Sequence, residues 1–327
     1  MSRIGWPSLP STICLLARTR SSRHNYGTCP CRCRRYRAPV APPSSRRCIG
    51  EVAISGTVDI TGADAPIGVF DSGLGGLTVV RALRARLPHE SLIYVGDTAR
   101  VPYGPKSPDT VRQYATQIAQ WLSGEGVKAI VVACNTATAH ALTHLQSVMT
   151  VPVIGVVAPG ARAAVSATRG GPIGVIGTTG TINSGAYEQA IRAIAPAMVV
   201  VGRACPLFVP LVEEGWMDHP ATRLIVREYL APLADSHIDT LVLGCTHYPL
   251  LAPVIAEAVG PGVRLIDSAE ETALEIHRVL ASARLLNRAP AEPQVRFVAS
   301  DAADRFLALG RRFLDDTMAH VEHVSFP

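Results

Sequence analysis

Two apolar runs that each stop at a cysteine constrain this chain more than anything else in it. From Asp239 to Pro249 the sequence reads D-T-L-V-L-G-C-T-H-Y-P, and from Lys128 to Thr138 it reads K-A-I-V-V-A-C-N-T-A-T. Each is a short run of β-branched and aliphatic residues ended by a small residue, the pattern of a strand buried on both faces of a parallel sheet. The match extends upstream, because Pro66-Ile67-Gly68-Val69 recurs as Pro172-Ile173-Gly174-Val175, 68 positions before Cys134 and 73 before Cys245. Two copies of one α/β unit are the simplest reading. The expected fold is therefore α/β, with two similar pseudo-symmetric domains, each a mainly parallel sheet flanked by helices.

In open α/β sheets, side chains that do chemistry sit just past the carboxyl ends of the strands, so each half should present its cysteine at such an edge. If the halves face each other, two thiols flank one pocket at the interface. Opposed, similar acid/base groups suit a reaction whose two directions are mirror images: a proton leaves one face of a carbon and another arrives on the opposite face. That reaction is racemisation. Most enzymes that remove the α-proton of an amino acid recruit pyridoxal phosphate through a lysine. This chain has only Lys106 and Lys128, neither well placed for a Schiff base. Cys245 and His247 make two metal ligands with no spaced cluster to complete them, and neither cysteine lies in a C-x-x-C redox pair. No cofactor and no metal are expected. A free thiol ionises near pH 8.5, so each needs a helper, and Asp71 and His247 are the candidates.

Four motifs carry a resemblance. F-D-S-G-L-G-G at Phe70 to Gly76, P-Y-G at Pro102 to Gly104, C-N-T at Cys134 to Thr136 and G-C-T-H-Y-P at Gly244 to Pro249 resemble glutamate racemase, within the cofactor-independent aspartate/glutamate racemase group. The resemblance spans Pro66 to Pro327. It implies that Cys134 takes the proton from D-glutamate and Cys245 from L-glutamate, with Asp71 a partner of the thiol. Read alone, Asp71 would be a helix cap. The resemblance further implies that Ser72, Tyr103, Gly104, Asn135, Thr136 and Thr246 hold the ammonium and carboxylates. Thr178 and Thr181 are N-caps in the bland reading, and by the duplication counterparts of Ser72 that bind a carboxylate. Glu213 lies where the family has an acid near the site, against the alternative of a solvated helix-end residue. Cys205 reads as a small buried hydrophobe. The implied partner is a small molecule, glutamate, with no nucleic acid and no membrane. The implied setting is the cytoplasm, where D-glutamate feeds peptidoglycan synthesis and so cell-wall biogenesis and cell shape. Oligomeric state stays open, a homodimer being one arrangement. An aspartate racemase or related isomerase is the alternative enzyme, and a two-lobed amino-acid-binding protein the non-enzyme alternative.

Composition matters mainly for what it says about the first fifty residues. The chain's net charge of +5 is a property of that segment, which holds ten arginines, no lysine and no acid and leaves 21 basic against 26 acidic residues elsewhere. The basic balance thus gives no support to a nucleic-acid-binding domain. Rich in Ser, Pro and Cys and without an apolar period, residues 1–65 read as a disordered extension. Cys29, Cys31 and Cys33 alternate too closely for a zinc site. The segment resembles a transit peptide, but the favoured expectation for a bacterial chain is a start downstream, at Val52 or Val58.

Domain 1 is expected to be discontinuous, 66–160 plus 268–327, with domain 2 at 161–267. Strands are expected at 66–70, 91–96, 151–156, 173–177, 198–201, 263–266, 295–299 and 321–325, besides the two cysteine strands. Helices are expected from the glycine turn to about 87, then over 109–123, 136–146, 160–168, 221–234, 250–258, 270–286 and 302–313. The glycines at 73, 75 and 76 do not form G-x-G-x-x-G, since position 78 is Thr78, so the loop suits a carboxylate rather than a dinucleotide.

Overall fold

The structure is a computed structural model that describes residues 62–288, 292–314 and 318–327. The expectations for residues 1–61 lie outside the described residues. In chain order the elements are β1 (Ile67–Asp71), α1 (Leu77–Arg86), β2 (Leu92–Gly96), α2 (Pro108–Gly124), β3 (Ala129–Val132), α3 (Asn135–Val148), β4 (Val153–Gly155) and α4 (Val157–Ala167). There follow β5 (Ile173–Gly177), α5 (Thr179–Asn183), α6 (Ala186–Ile194), β6 (Val200–Ala204), α7 (Phe208–Glu213) and α8 (Pro220–Ala234). The last are β7 (Thr240–Gly244), a 3-10 turn (Tyr248–Leu251), α9 (Ala252–Val259), β8 (Arg264–Asp267), α10 (Ser268–Ser282), β9 (Val295–Ala299), α11 (Ala303–Gly310) and β10 (Glu322–His323).

The strands form two sheets, β10-β9-β2-β1-β3-β4 and β6-β5-β7-β8, and every pairing in both is parallel. The order β2-β1-β3-β4 in the first is the order β6-β5-β7-β8 in the second. The sequence repeat is thus a repeat of topology, with β9 and β10 added to one edge. In each sheet the order reverses direction between the first strand and the cysteine strand, and a crevice opens at such a switch point.

Why the strands are apolar throughout follows from what covers them. Along β3, Ala129 and Val131 join one hydrophobic cluster while Ile130 and Val132 join another, the period of two expected of a pleated strand with helices on both faces. The second face is filled from α2 and α3 by Val111, Ala115, Ile118, Leu122, Ala141 and Leu145. The first cluster runs on from β1 and β3 to Leu241 and Leu243 of β7, so one apolar core connects the two sheets. Helix starts follow local chemistry. Ser107 caps α2 by accepting from the Thr110 amide at 3.2 Å, with Pro108 in the first turn.

Several boundaries differ from expectation. Helix α10 stops at Ser282 instead of continuing to 286, because Arg284 takes a left-handed φ of 59° and turns the chain. Strand β6 lies two residues later than expected, its register set by pairing Ile173 with Val200. Helix α4 begins before Gly160, α11 ends at Gly310, β10 shrinks to two residues, and the expected start of a helix at 250 is a 3-10 turn. The sequence sets no range for α5, α6 or α7, although Thr178 and Thr181 read as N-caps and Glu213 as a helix end: α5 and α7 have 5 and 6 residues, too few to show a period.

Candidate active site

On the first sheet, β1 ends at Asp71 and the glycine loop turns into α1. The Asp71 carboxylate fastens that loop: its Oδ2 accepts from the Gly76 amide at 3.0 Å and the Gly73 amide at 3.3 Å, while Tyr94 donates to the Gly73 carbonyl at 2.8 Å. Asp71 therefore does part of what a cap does. Its other oxygen, Oδ1, is buried with no protein partner. Cys134 sits just past β3 as the N-cap of α3, its Sγ 3.4 Å from the Ala137 amide and 3.8 Å from Ser72 Oγ. A helix N-terminus favours a thiolate. Burial outweighs it: loss of water pushes the Cys134 thiol well up, and the Asp71 charge pushes the same way.

On the second sheet, Cys245 stands just past β7, and His247 lies beside it with Nδ1 3.9 Å from the sulfur. The other ring nitrogen, Nε2, is 3.2 Å from Oε1 of Glu213, the last residue of α7. Burial alone would strip the imidazole of its proton, but the contacts with Cys245 and Glu213 outweigh burial and hold His247 up at about 10. Standing between a sulfur and a carboxylate, the ring is held towards its protonated form.

The loops of the two sheets meet along two seams. A Cβ on Gly75 would lie 2.6 Å from His247 Nδ1 and press on Thr246 Oγ1, so only glycine lets the first loop approach the second this closely. At the other seam, the Gly180 amide donates to the Gly104 carbonyl at 2.9 Å, and a Cβ on Gly104 would lie 2.8 Å from Thr178 Cβ. There Thr136 Oγ1 lies 2.8 Å from Thr178 Oγ1 and 3.1 Å from Thr181 Oγ1. Thr178 also caps α5 through the Thr181 amide at 3.2 Å, so capping and contact with the first half coexist. Asn135 Oδ1 accepts from Tyr187 at 2.8 Å. Both thiols are buried, Cys134 two residues before Thr136 of one seam and Cys245 next to Thr246 of the other.

Most of the expected residues are thereby brought together: Asp71, Ser72, Cys134, Asn135 and Thr136 from one half meet Thr178, Thr181, Cys245, Thr246, His247 and Glu213 from the other. Tyr103 is placed differently. Its hydroxyl donates to Asp97 Oδ2, which also holds Arg100 at 2.7 Å, and what reaches the second half is the backbone of the neighbouring Gly104. Cys205 is fully buried, its sulfur 3.7 Å from the Arg203 carbonyl. Asp97 and Tyr187 escaped sequence reasoning, since nothing near them in sequence shows what they touch. Among the described residues, no group of three or more His, Cys, Asp or Glu side chains is placed to hold a metal ion, and no helix is long and apolar enough to cross a membrane.

A fold of two matched parallel sheets with a cysteine at the same place in each agrees with the comparisons. The profile described as Asp/Glu/Hydantoin racemase matches residues 77–276, and the chain belongs to that family. Within it, the chain is 52% identical over 259 residues to the glutamate racemase of Geobacter metallireducens, covering 79% of this chain and 96% of that protein. A glutamate racemase of Neisseria meningitidis is also 52% identical, over 265 residues, covering 81% of this chain and 98% of that one. Among solved structures, glutamate racemase isoform RacE1 from Bacillus anthracis superposes with a TM-score of 0.78 at 42% identity, covering 80% of this chain and 98% of that one. The glutamate racemase of Francisella tularensis, solved in complex with D-glutamate, gives a TM-score of 0.76 at 40% identity, covering 80% and 98%.

Proposed function

We propose that the protein interconverts L-glutamate and D-glutamate without a cofactor, with Cys134 and Cys245 as the two acid/base groups. The observation that carries the reading is the matched placement of the thiols, each past the cysteine strand of its own sheet and both buried where the two sets of loops meet. From L-glutamate, the Cys245 thiolate takes the α-hydrogen, and Cys134 delivers its thiol hydrogen to the opposite face of the carbanion. Cys245 ends as thiol and Cys134 as thiolate. Burial, which keeps Cys134 protonated, and the His247 imidazolium beside Cys245 both suit that direction. From D-glutamate, the Cys134 proton must leave first. Asp71 Oδ1, buried and without a protein partner, is its acceptor, and neutralising Asp71 removes the charge that opposes the thiolate.

Glu213 orients His247 through Nε2. Ser72, Asn135, Thr136, Thr178, Thr181 and Thr246 hold the ammonium and carboxylates, while Tyr103 acts by placing Gly104. The reading takes 66–160 with 268–327 as one lobe and 161–267 as the other, consistent with the membership of the two sheets. D-Glutamate made in the cytoplasm would supply peptidoglycan synthesis. Optical rotation followed with L-glutamate and L-aspartate tests the substrate. Turnover of L-glutamate with no added cofactor, and much less with L-aspartate, is expected; a preference for aspartate, or binding without turnover, contradicts the reading.

A further inference from the structure

Tyr187 lies outside the expected site, yet its side chain reaches residues next to both cysteines. Its ring is 3% exposed and lies on α6, in the half that carries the second sheet. A Cβ on Gly244, the residue before Cys245, would lie 3.1 Å from Tyr187 Cε2. At the other end of the ring, the hydroxyl donates to Oδ1 of Asn135, the residue after Cys134, at 2.8 Å. Ser268, at the start of α10, lies near the same end of the ring: a Cβ on Gly160 would lie 3.1 Å from the Tyr187 hydroxyl and 3.2 Å from Ser268 Cβ.

This chain of contacts has a direction. A phenol has one proton, and Tyr187 gives it to a carbonyl oxygen that has none to return. With the acceptor end of the Asn135 amide thus engaged, the Nδ2 end faces away. Asn135 is 3% exposed, and its Nδ2 has no protein partner. Buried amide donors are nearly always satisfied in folded proteins, so an unpaired one beside Cys134 points to a ligand.

We propose that Tyr187 is a positioning residue that locks the Asn135 amide with Nδ2 towards the substrate, making it a donor-only contact for a carboxylate oxygen. The proposal rests on the reading of this site as one that binds glutamate. Without the phenol hydroxyl, the amide loses the bond that fixes its orientation, and a half-turn would set its oxygen against the carboxylate.

The test is a double-mutant cycle in the full chain with L-glutamate as substrate. Tyr187→Phe and Asn135→Ala should each raise KM by roughly 10- to 100-fold, the range for a hydrogen bond to a charged group, with a much smaller change in kcat. The double variant should be no worse than Asn135→Ala alone. Should Tyr187→Phe fail to fold, as judged by its thermal transition, Tyr187→Met replaces it, filling the space without a hydroxyl, with a rise in KM that again vanishes in the Asn135→Ala background. Additive losses, or a loss confined to kcat, would mean that the ring merely packs beneath Gly244, and overturn the Tyr187 assignment alone. A wild-type protein that does not racemise glutamate overturns the functional reading, and the carboxylate role of Asn135 with it.

Discussion

The two thiols meet different surroundings, and those surroundings decide their chemistry. Cys134 has a carboxylate and the start of a helix; Cys245 has an imidazole backed by a second carboxylate. Cys134→Ala and Cys245→Ala should each abolish racemisation in both directions, because either direction needs one acid and one base; measurable turnover by either variant contradicts the assignment. His247 adds a pH dependence whose sign is fixed. Its folded value of about 10 lies above the ordinary 6.5, so the native state holds a proton that the unfolded chain has released. That stabilisation is complete below about pH 6.5 and is lost as pH rises through about 10. Denaturant midpoints measured across this range should fall less steeply in His247→Asn than in the wild type. An identical fall in both proteins would show that the imidazole gains nothing from its neighbours.

Secondary-structure elements act here through their ends. Helix α7 matters because its last residue, Glu213, reaches His247; Glu213→Gln should therefore move the alkaline limb of kcat/KM from L-glutamate to lower pH, with little change in thermal transition. Thr178→Ala removes the cap of α5 and the bond to Thr136 together, so a stability loss of about 1 kcal/mol should come with a raised KM. Gly75→Ala should cost about 1–3 kcal/mol by overpacking against His247 and lower kcat further by displacing the ring, as denaturation and initial rates would show. The strands that carry Cys134 and Cys245 were legible in the sequence because a strand covered on both faces must be apolar at every position. Glu213, Asp97 and Tyr187 could not be read in the same way. Each acts on a partner distant in sequence or across a turn, and α6 and α7 gave no boundary to reason from. Tyr103 shows the opposite limit: its motif marks a loop that touches the second half through Gly104, while its hydroxyl is held by Asp97.

At the scale of the molecule, the duplication accounts for the placement of the chemistry. Repeating one strand order gives two equivalent edges, and a continuous apolar core between the sheets holds those edges together. Similar acid/base groups at both edges suit a reaction with mirror-image directions, and in the proposed mechanism the unmatched helpers, Asp71 and His247, set how each direction begins. Residues 1–50, with ten arginines and no acid, bring no apolar pattern to that core, so removing residues 1–61 should leave turnover and thermal transition unchanged, as assays of the shortened chain would show. The claim that the two thiols work from opposite faces is tested most directly by isotope. In D₂O, early turnover from L-glutamate should place deuterium at the α-carbon of the D-glutamate formed and leave the remaining L-glutamate largely unlabelled, because the proton removed on one side is not the one returned on the other. Equal early labelling of both enantiomers would contradict the account, since a single base can return solvent deuterium to either face.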